Sequence, residues 1–80
     1  MLKDFILGTE LAKAGNFHIA NVSMMIKDSN LALDRDYLKF GGITLINKNS
    51  INVPLYIMKI IHNPNNKFTD LSEYIPYTYF

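Results

Sequence analysis

Four side chains between positions 18 and 27 combine hydrogen-bonding and apolar chemistry at helical spacing. Ala20, Asn21, Met24 and Lys27 fall on one face of a helix through this segment. An Asn carboxamide pairs with the edge of adenine, small apolar groups touch the methyl group of thymine, and a Lys ammonium reaches phosphate. The pattern favours contact with the major groove of a DNA duplex. The alternative is a solvated helix face that carries one exposed Met.

Two further polar side chains lie beside this face. Ser23 is placed to reach phosphate, and His18 is expected to start the helix rather than to bind a metal. Both belong to the predicted DNA-binding set, which comprises His18, Ala20, Asn21, Ser23, Met24 and Lys27 on the helix.

Sequence patterns for catalysis and metal binding are missing. The chain contains no nucleophile-elbow motif, no phosphate-loop motif and no His-Glu-x-x-His pattern. It has no Cys, and its two histidines, His18 and His62, are 44 positions apart. The Gly41-Gly42 pair suits a turn better than a phosphate cradle. We therefore expect a protein that is not an enzyme and that uses no metal, other cofactor or small-molecule substrate.

The segment from Thr9 to Lys27 is predicted to form a helix-turn-helix. Thr9 is the expected N-cap of the first helix, and the second helix is expected from about His18 to Lys27. Asn16 occupies the turn, because Asn tolerates the left-handed backbone conformation that reverses the chain. The small residues expected where the helices cross are Ala12 and Gly15, and the apolar residues expected to face inward are Leu11, Phe17, Ile19, Val22, Met25 and Ile26.

Two connecting segments are expected to contribute apolar side chains to the core. Met1–Gly8 is a short apolar lead that fits either a first helix or an extended segment, because periodicity does not decide at this length. Asp28–Asp36 is a polar connector with turn-forming residues, and Leu31 and Leu33 are expected to hold it to the core.

A glycine pair separates two β-prone runs after the connector. Tyr37–Phe40 and Ile43–Ile46 flank Gly41-Gly42, which is a strong signal for a β-hairpin. The expected pairs are Phe40 with Ile43 and Leu38 with Leu45 on one face, while Lys39 and Thr44 share the other face with Tyr37 and Ile46.

The order of these parts resembles a known family. The chain resembles the winged helix-turn-helix of phage and transposon excisionases and MerR-like regulators over about Phe5 to Ile61. The resemblance lies in the runs ELAKAGNFHIANVSMMIK, YLKFGGITLIN and KNSI, of which the last leads into a further helix. The resemblance implies that the second helix is a recognition helix, that the hairpin is a wing, and that DNA meets Ala20, Asn21, Met24, Lys27, Lys39 and Thr44. The chain lacks the Arg-rich wing and Arg-rich helix start that members of this family usually show.

A third helix is predicted after the hairpin. It is expected to start near Asn49–Asn52 with Pro54 in its first turn, where a missing N–H costs little. Every residue from Val53 to Ile61 except Lys59 is apolar or aromatic. We therefore expect its own domain to pack on one side of this helix and a further segment or chain to pack on the other. A buried strand is the competing interpretation, although Pro54 argues against a central strand.

The C-terminal part is predicted to be an extension of the main domain. The chain breaks at His62–Asn66, a short helix is expected over Asp70–Ile75, and an aromatic arm follows. The arm either folds back over the third helix or docks on another chain. The residues expected to bind a partner are Tyr56, Ile60, Tyr74, Tyr77, Tyr79 and Phe80. The predicted division is 1–62 for the winged domain and 63–80 for the extension.

Composition limits the class of protein. A chain of 80 residues supports one small core, and the expected fold class is α+β, mostly α. The absence of Cys suits a reducing cytoplasm. The longest apolar run is too short to cross a bilayer, and the early Asp4 and Glu10 do not fit a signal peptide. The net charge of +1 lacks the basic excess that is usual in a dedicated nucleic-acid binder, because phosphate contacts dominate affinity. On the DNA-binding hypothesis, a monomer is therefore expected to bind weakly.

Two functional hypotheses therefore remain. The first is a small DNA-binding repressor or excisionase-like factor, which we expect to act as a dimer so that two weak half-sites add up. The second is a winged-helix module that docks on a larger protein, as an accessory subunit or inhibitor of a replication or recombination enzyme of a mobile element or phage. Low net charge favours the second hypothesis, and the succession of turn, helix and wing favours the first.

Overall fold

A computed structural model describes residues 2–71 of the chain. Its elements, in order, are β1 (Phe5–Leu7), α1 (Gly8–Gly15), α2 (Ile19–Asp28), β2 (Tyr37–Phe40), β3 (Ile43–Asn47) and α3 (Leu55–Ile61). The three helices and one antiparallel sheet confirm the expected α+β class. Within the described range, no helix has the length and apolar content needed to span a membrane.

The sheet contains the predicted hairpin and one additional strand. β2 and β3 pair in the expected register, with Phe40 opposite Ile43 and Leu38 opposite Leu45. Gly41 adopts a φ of 58° at the turn, a conformation that glycine adopts without strain. The sequence left the conformation of the N-terminal lead open; in the structure it forms β1 and pairs with β3. The strand order is therefore β1-β3-β2, and the sheet has three strands at its base, the end away from the glycine turn.

The two faces of the sheet pack against different parts of the chain. Because side chains alternate along a strand, the face with Ile6 and Ile46 is turned toward the helices and belongs to the main core. The opposite face carries Leu45, which is fully buried by Leu2 and Leu71 from the two ends of the described chain. Both faces are therefore covered at the base of the sheet, whereas the strand residues beside the glycine turn, Phe40 and Ile43, are exposed.

The predicted helix pair is present, with one error at its start. Asn16 follows α1 with φ 58° and ψ 46°, and its N–H donates to the carbonyl groups of Ala12 and Lys13. This confirms the left-handed turn. Thr9 is not the N-cap: α1 begins at Gly8, directly after β1, and Leu7 occupies the cap position without a side-chain hydrogen bond. The chain passes from strand to helix without the polar cap residue that the sequence pattern suggested.

The inward-facing residues are predicted correctly except for Ile19. Leu11, Val22 and Met25 are buried, and Phe17 and Ile26 pack against them. Ile19 is 42% exposed, and it is the first residue of α2. Gly15 also lies against different neighbours than expected. A Cβ at this position would overlap the ring of Phe17 and lie 3.0 Å from Cδ1 of Ile60 in α3.

The connector is held by one leucine rather than two. Leu31 is buried as expected, but Leu33 is 54% exposed and lies in an isolated bridge with Tyr37. The prediction for Leu33 is wrong because the chain turns sharply at Asp34, which has a φ of 71°. A buried carboxylate in this segment, Asp36, supplies the second attachment to the core.

The third helix is shorter than predicted. α3 begins at Leu55, and Pro54 is its N-cap rather than a residue of its first turn. Asn49–Asn52 form turns instead, because their polar groups bind each other and the connector. One side of α3 buries Ile57 and Ile61 in the core.

The described part of the predicted extension packs on the rest of the fold. After the expected break, Asn66 donates from its carboxamide to the Ile60 carbonyl at 2.9 Å, and Phe68 packs against the main core. Thr69 binds the carboxylate of Glu10 through its N–H and its hydroxyl, at 2.8 and 2.6 Å. Asp70 is not helical. The remainder of the expected short helix, and the candidate partner residues Tyr74, Tyr77, Tyr79 and Phe80, lie outside the described residues.

Candidate functional site

The outward face of α2 is a continuous exposed surface. The six predicted residues of this segment are all exposed, and Met24 retains 57% of its surface. The opposite side of the helix is anchored by Val22 and Met25, which are almost fully buried. This amphipathic arrangement fixes the rotation of α2, so the same residues that the spacing grouped on one face point away from the core. The residues brought together are His18, Ala20, Asn21, Ser23, Met24 and Lys27.

His18 sets the start of this helix. Its ring Nδ1 accepts a hydrogen bond from the Ala20 N–H at 3.0 Å, and its backbone is extended. A side-chain acceptor at the N-cap satisfies an amide that has no partner within the helix. The expectation that His18 is a helix-start residue is confirmed, and this role orients its ring along the beginning of the exposed face.

The hairpin lies against the same helix pair. Lys39 and Thr44 face each other across the hairpin, on the side of the sheet that faces the helices. A Cβ at Gly8 would lie 3.1 Å from the Thr44 carbonyl oxygen and 3.5 Å from a methyl group of Val22, so the hairpin closely approaches the start of α1 beside α2. Lys39 is exposed, whereas Thr44 is half-buried by this packing.

A shallow depression connects α2 with α3. It has a volume of about 240 Å³ and lies between Asn21 and Met24 on one side and Tyr56 on the other. Its remaining lining residues are Phe17, Met25, Asp28 and Ile57. Two side chains predicted to meet DNA and one predicted to bind a protein partner therefore share one surface. Of the other partner candidates in the described range, Ile60 is half-buried against Gly15.

A second, wider depression lies on the other side of α3. It has a volume of about 520 Å³ and is bounded by the 48–53 turn and by Leu55, Met58 and His62. Ile51 is 96% exposed at its rim, and Leu55 is 71% exposed. Sequence reasoning missed Ile51, although an isolated isoleucine in the polar run KNSIN has no regular pattern that would bury it.

The most connected polar side chain of the described region is Asp36, which sequence reasoning treated as an ordinary connector residue. Its Oδ2 accepts from the Ala32 N–H at 2.9 Å and from two guanidinium nitrogens of Arg35, the closer at 2.8 Å. Its Oδ1 accepts from the Ser50 hydroxyl at 2.6 Å and the Asn52 carboxamide at 3.1 Å. Asp36 is 1% exposed.

These contacts control the protonation of Asp36. The hydrogen bonds from Arg35 hold the pKa of the carboxyl well below its usual range, and those from Ala32, Ser50 and Asn52 act in the same direction. Burial opposes them by penalising the charged form. The donors prevail, so the carboxylate is ionised and ties the connector to the turn that precedes α3.

In residues 2–71, no group of three or more His, Asp or Glu side chains is arranged to hold a metal ion. No protein-family model matches this chain, and neither curated proteins nor solved structures give a significant match.

Proposed function

We propose that this protein is a small winged helix-turn-helix protein that binds double-stranded DNA, with α2 as its recognition helix and the β2–β3 hairpin as its wing. The observation that carries the proposal is the outward face of α2, where the predicted contact residues are brought together and exposed to solvent. An α-helix of this length fits into the major groove of B-form DNA. The order of α1, α2, hairpin and α3 supports the same assignment.

Two lysines give this surface its positive charge. Lys27 lies in the last turn of α2, and Lys39 lies on the exposed part of the hairpin. We assign both lysines to phosphate contacts, because such contacts set the position of a protein on the duplex. Asp28 adjoins Lys27 and lowers the local charge. We therefore propose a dimer that acts as a repressor or excisionase-like factor, since two half-sites add their binding energies.

A salt titration of duplex binding tests this proposal. We expect fluorescence anisotropy to show binding to a random duplex that weakens steeply with salt, because bound lysines release counterions from the DNA. Charge reversal at Lys27 or Lys39 should abolish most of the binding and reduce the salt slope by about one. Lys3→Glu is the matched control, since Lys3 is exposed beside β1 at the end of the sheet opposite the glycine turn.

The second candidate function is a module that docks on a larger replication or recombination protein. The observation that favours it is the exposure of three apolar side chains around α3, namely Ile51, Leu55 and Tyr56. The same titration separates the two functions. A protein that ignores every duplex at low salt, and whose Lys27→Glu and Lys39→Glu variants are indistinguishable from Lys3→Glu, is not a DNA-binding protein, and the docking function then takes its place.

A further inference from the structure

The ridge of α2 that projects furthest from the core is mainly uncharged. With about 3.6 residues per turn, Ala20, Met24 and Lys27 align along this ridge, and Asn21 lies beside it toward α3. All four side chains are exposed. When this ridge faces a duplex, the helix presents a methyl group, a thioether chain and a carboxamide to the bases. Its one ammonium group lies in the last turn.

Each of these groups has a preferred partner in the major groove. A carboxamide pairs with the N6 and N7 atoms of adenine, and apolar side chains contact the C5-methyl group of thymine. Guanine is read by the paired donors of Arg or by Lys. The single Arg of this chain, Arg35, is held by Asp36 in the connector at 2.8 Å and does not belong to α2.

We infer that α2 recognises A·T base pairs, with Ala20 and Met24 against thymine methyl groups and Asn21 against adenine. This inference rests on the proposed DNA binding and adds the base pairs that the site selects. Lys27 serves the phosphate backbone, because it lies at the end of the ridge rather than at its centre. The selectivity is modest per half-site, since apolar contacts supply most of it.

Selection from short duplexes with a randomised centre, followed by atomic substitution in the selected site, tests the inference. Replacing thymine by uracil removes the C5-methyl group and leaves base pairing intact, and replacing adenine by 7-deaza-adenine removes N7. We expect each substitution to weaken binding by about tenfold at the contacted positions. Met24→Ala should remove the penalty for uracil at the position that Met24 contacts and keep it at the position that Ala20 contacts, and Asn21→Ala should remove the penalty for 7-deaza-adenine. Lys3→Glu should retain both penalties.

The outcomes separate the inference from the proposed function. Salt-dependent binding in which the selected sites are rich in G·C pairs, or in which uracil and thymine duplexes bind equally, overturns A·T recognition and leaves DNA binding in place. Absence of binding to every duplex overturns both. Penalties that persist unchanged in Met24→Ala and Asn21→Ala show that other side chains read the bases and also overturn the assignment.

Discussion

The hydroxyl of Ser50 donates to Oδ1 of Asp36 at 2.6 Å, and this contact joins the connector after α2 to the turn before α3. Asn52 donates to the same oxygen, while Ala32 and Arg35 donate to the other. One buried carboxylate thus determines the paths of two loops that flank the hairpin. The fold is small, so the loss of such a network removes a large share of its stability.

Replacing this carboxylate by a carboxamide should destabilise the protein. Asp36→Asn places an NH2 group where one carboxylate oxygen accepts hydrogen bonds, so donors face donors in a buried site. We expect a loss of about 3 kcal/mol in the free energy of unfolding. Urea denaturation followed by circular dichroism measures it. Asp34→Asn is the control, because Asp34 is exposed with a φ of 71° that Asn tolerates, and its stability should equal that of the wild type. Equal losses in both variants would contradict the assigned role.

Acid should weaken the fold through the same residue. The folded-state pKa of Asp36 lies below its unfolded value of about 3.9, so the unfolded chain takes up the proton more readily. The stabilisation is therefore complete above about pH 5 and is lost as the pH falls through 4 and below. Urea denaturation of the wild type and of Asp36→Asn from neutral to acidic pH measures the effect. The stability difference between the two should narrow on acidification, and a constant difference would refute the linkage.

A methyl group at Gly15 should strain the junction of α1 and α3. A Cβ there overlaps the Phe17 ring and approaches the Ile60 side chain, so at least one of them must move. We expect Gly15→Ala to lower stability by about 1 to 2 kcal/mol, after allowing for the better helix propensity of Ala. Gly42→Ala is the matched control, because no atom lies within 4 Å of a Cβ at that position and the change should be within about 0.5 kcal/mol. Phe17→Leu should partly rescue Gly15→Ala if the overlap is the cause.

Periodicity and turn chemistry predicted the elements whose signals are local. The left-handed Asn16, the outward face of α2 and the hairpin register around the two glycines follow from residue types within a few positions. Errors arose where tertiary contacts decide. Nothing in the local sequence distinguishes Leu31, which is buried, from Leu33, which is exposed. The burial of Asp36 depends on Ser50 and Asn52, which lie 14 and 16 positions away, so no local pattern reveals it.

The candidate site was predictable to a similar extent. Helical spacing alone placed Asn21 and Met24 on the exposed face, but the approach of Tyr56 to them depends on how α3 packs across the core. Sequence reasoning therefore assigned Tyr56 and Met24 to separate functions. In the structure they line one depression, so the residues assigned to the two functions belong to one surface.

This shared surface gives a test of whether the face of α2 is the surface that meets DNA. Tyr56→Glu adds a carboxylate beside Asn21 and Met24 on a side chain that is 61% exposed, so the fold should be retained. If α2 enters a duplex, the new charge repels phosphates and we expect duplex affinity to fall by about tenfold at low salt, with a smaller effect at high salt.

Ile51→Glu is the control, because it introduces the same charge at the other depression on a side chain that is 96% exposed. It should change duplex affinity by less than about twofold, since that depression lies on the other side of α3. Anisotropy titrations of both variants, with circular dichroism to verify folding, measure the contrast. Equal effects of the two substitutions would show that duplex binding depends on overall charge and not on the face of α2.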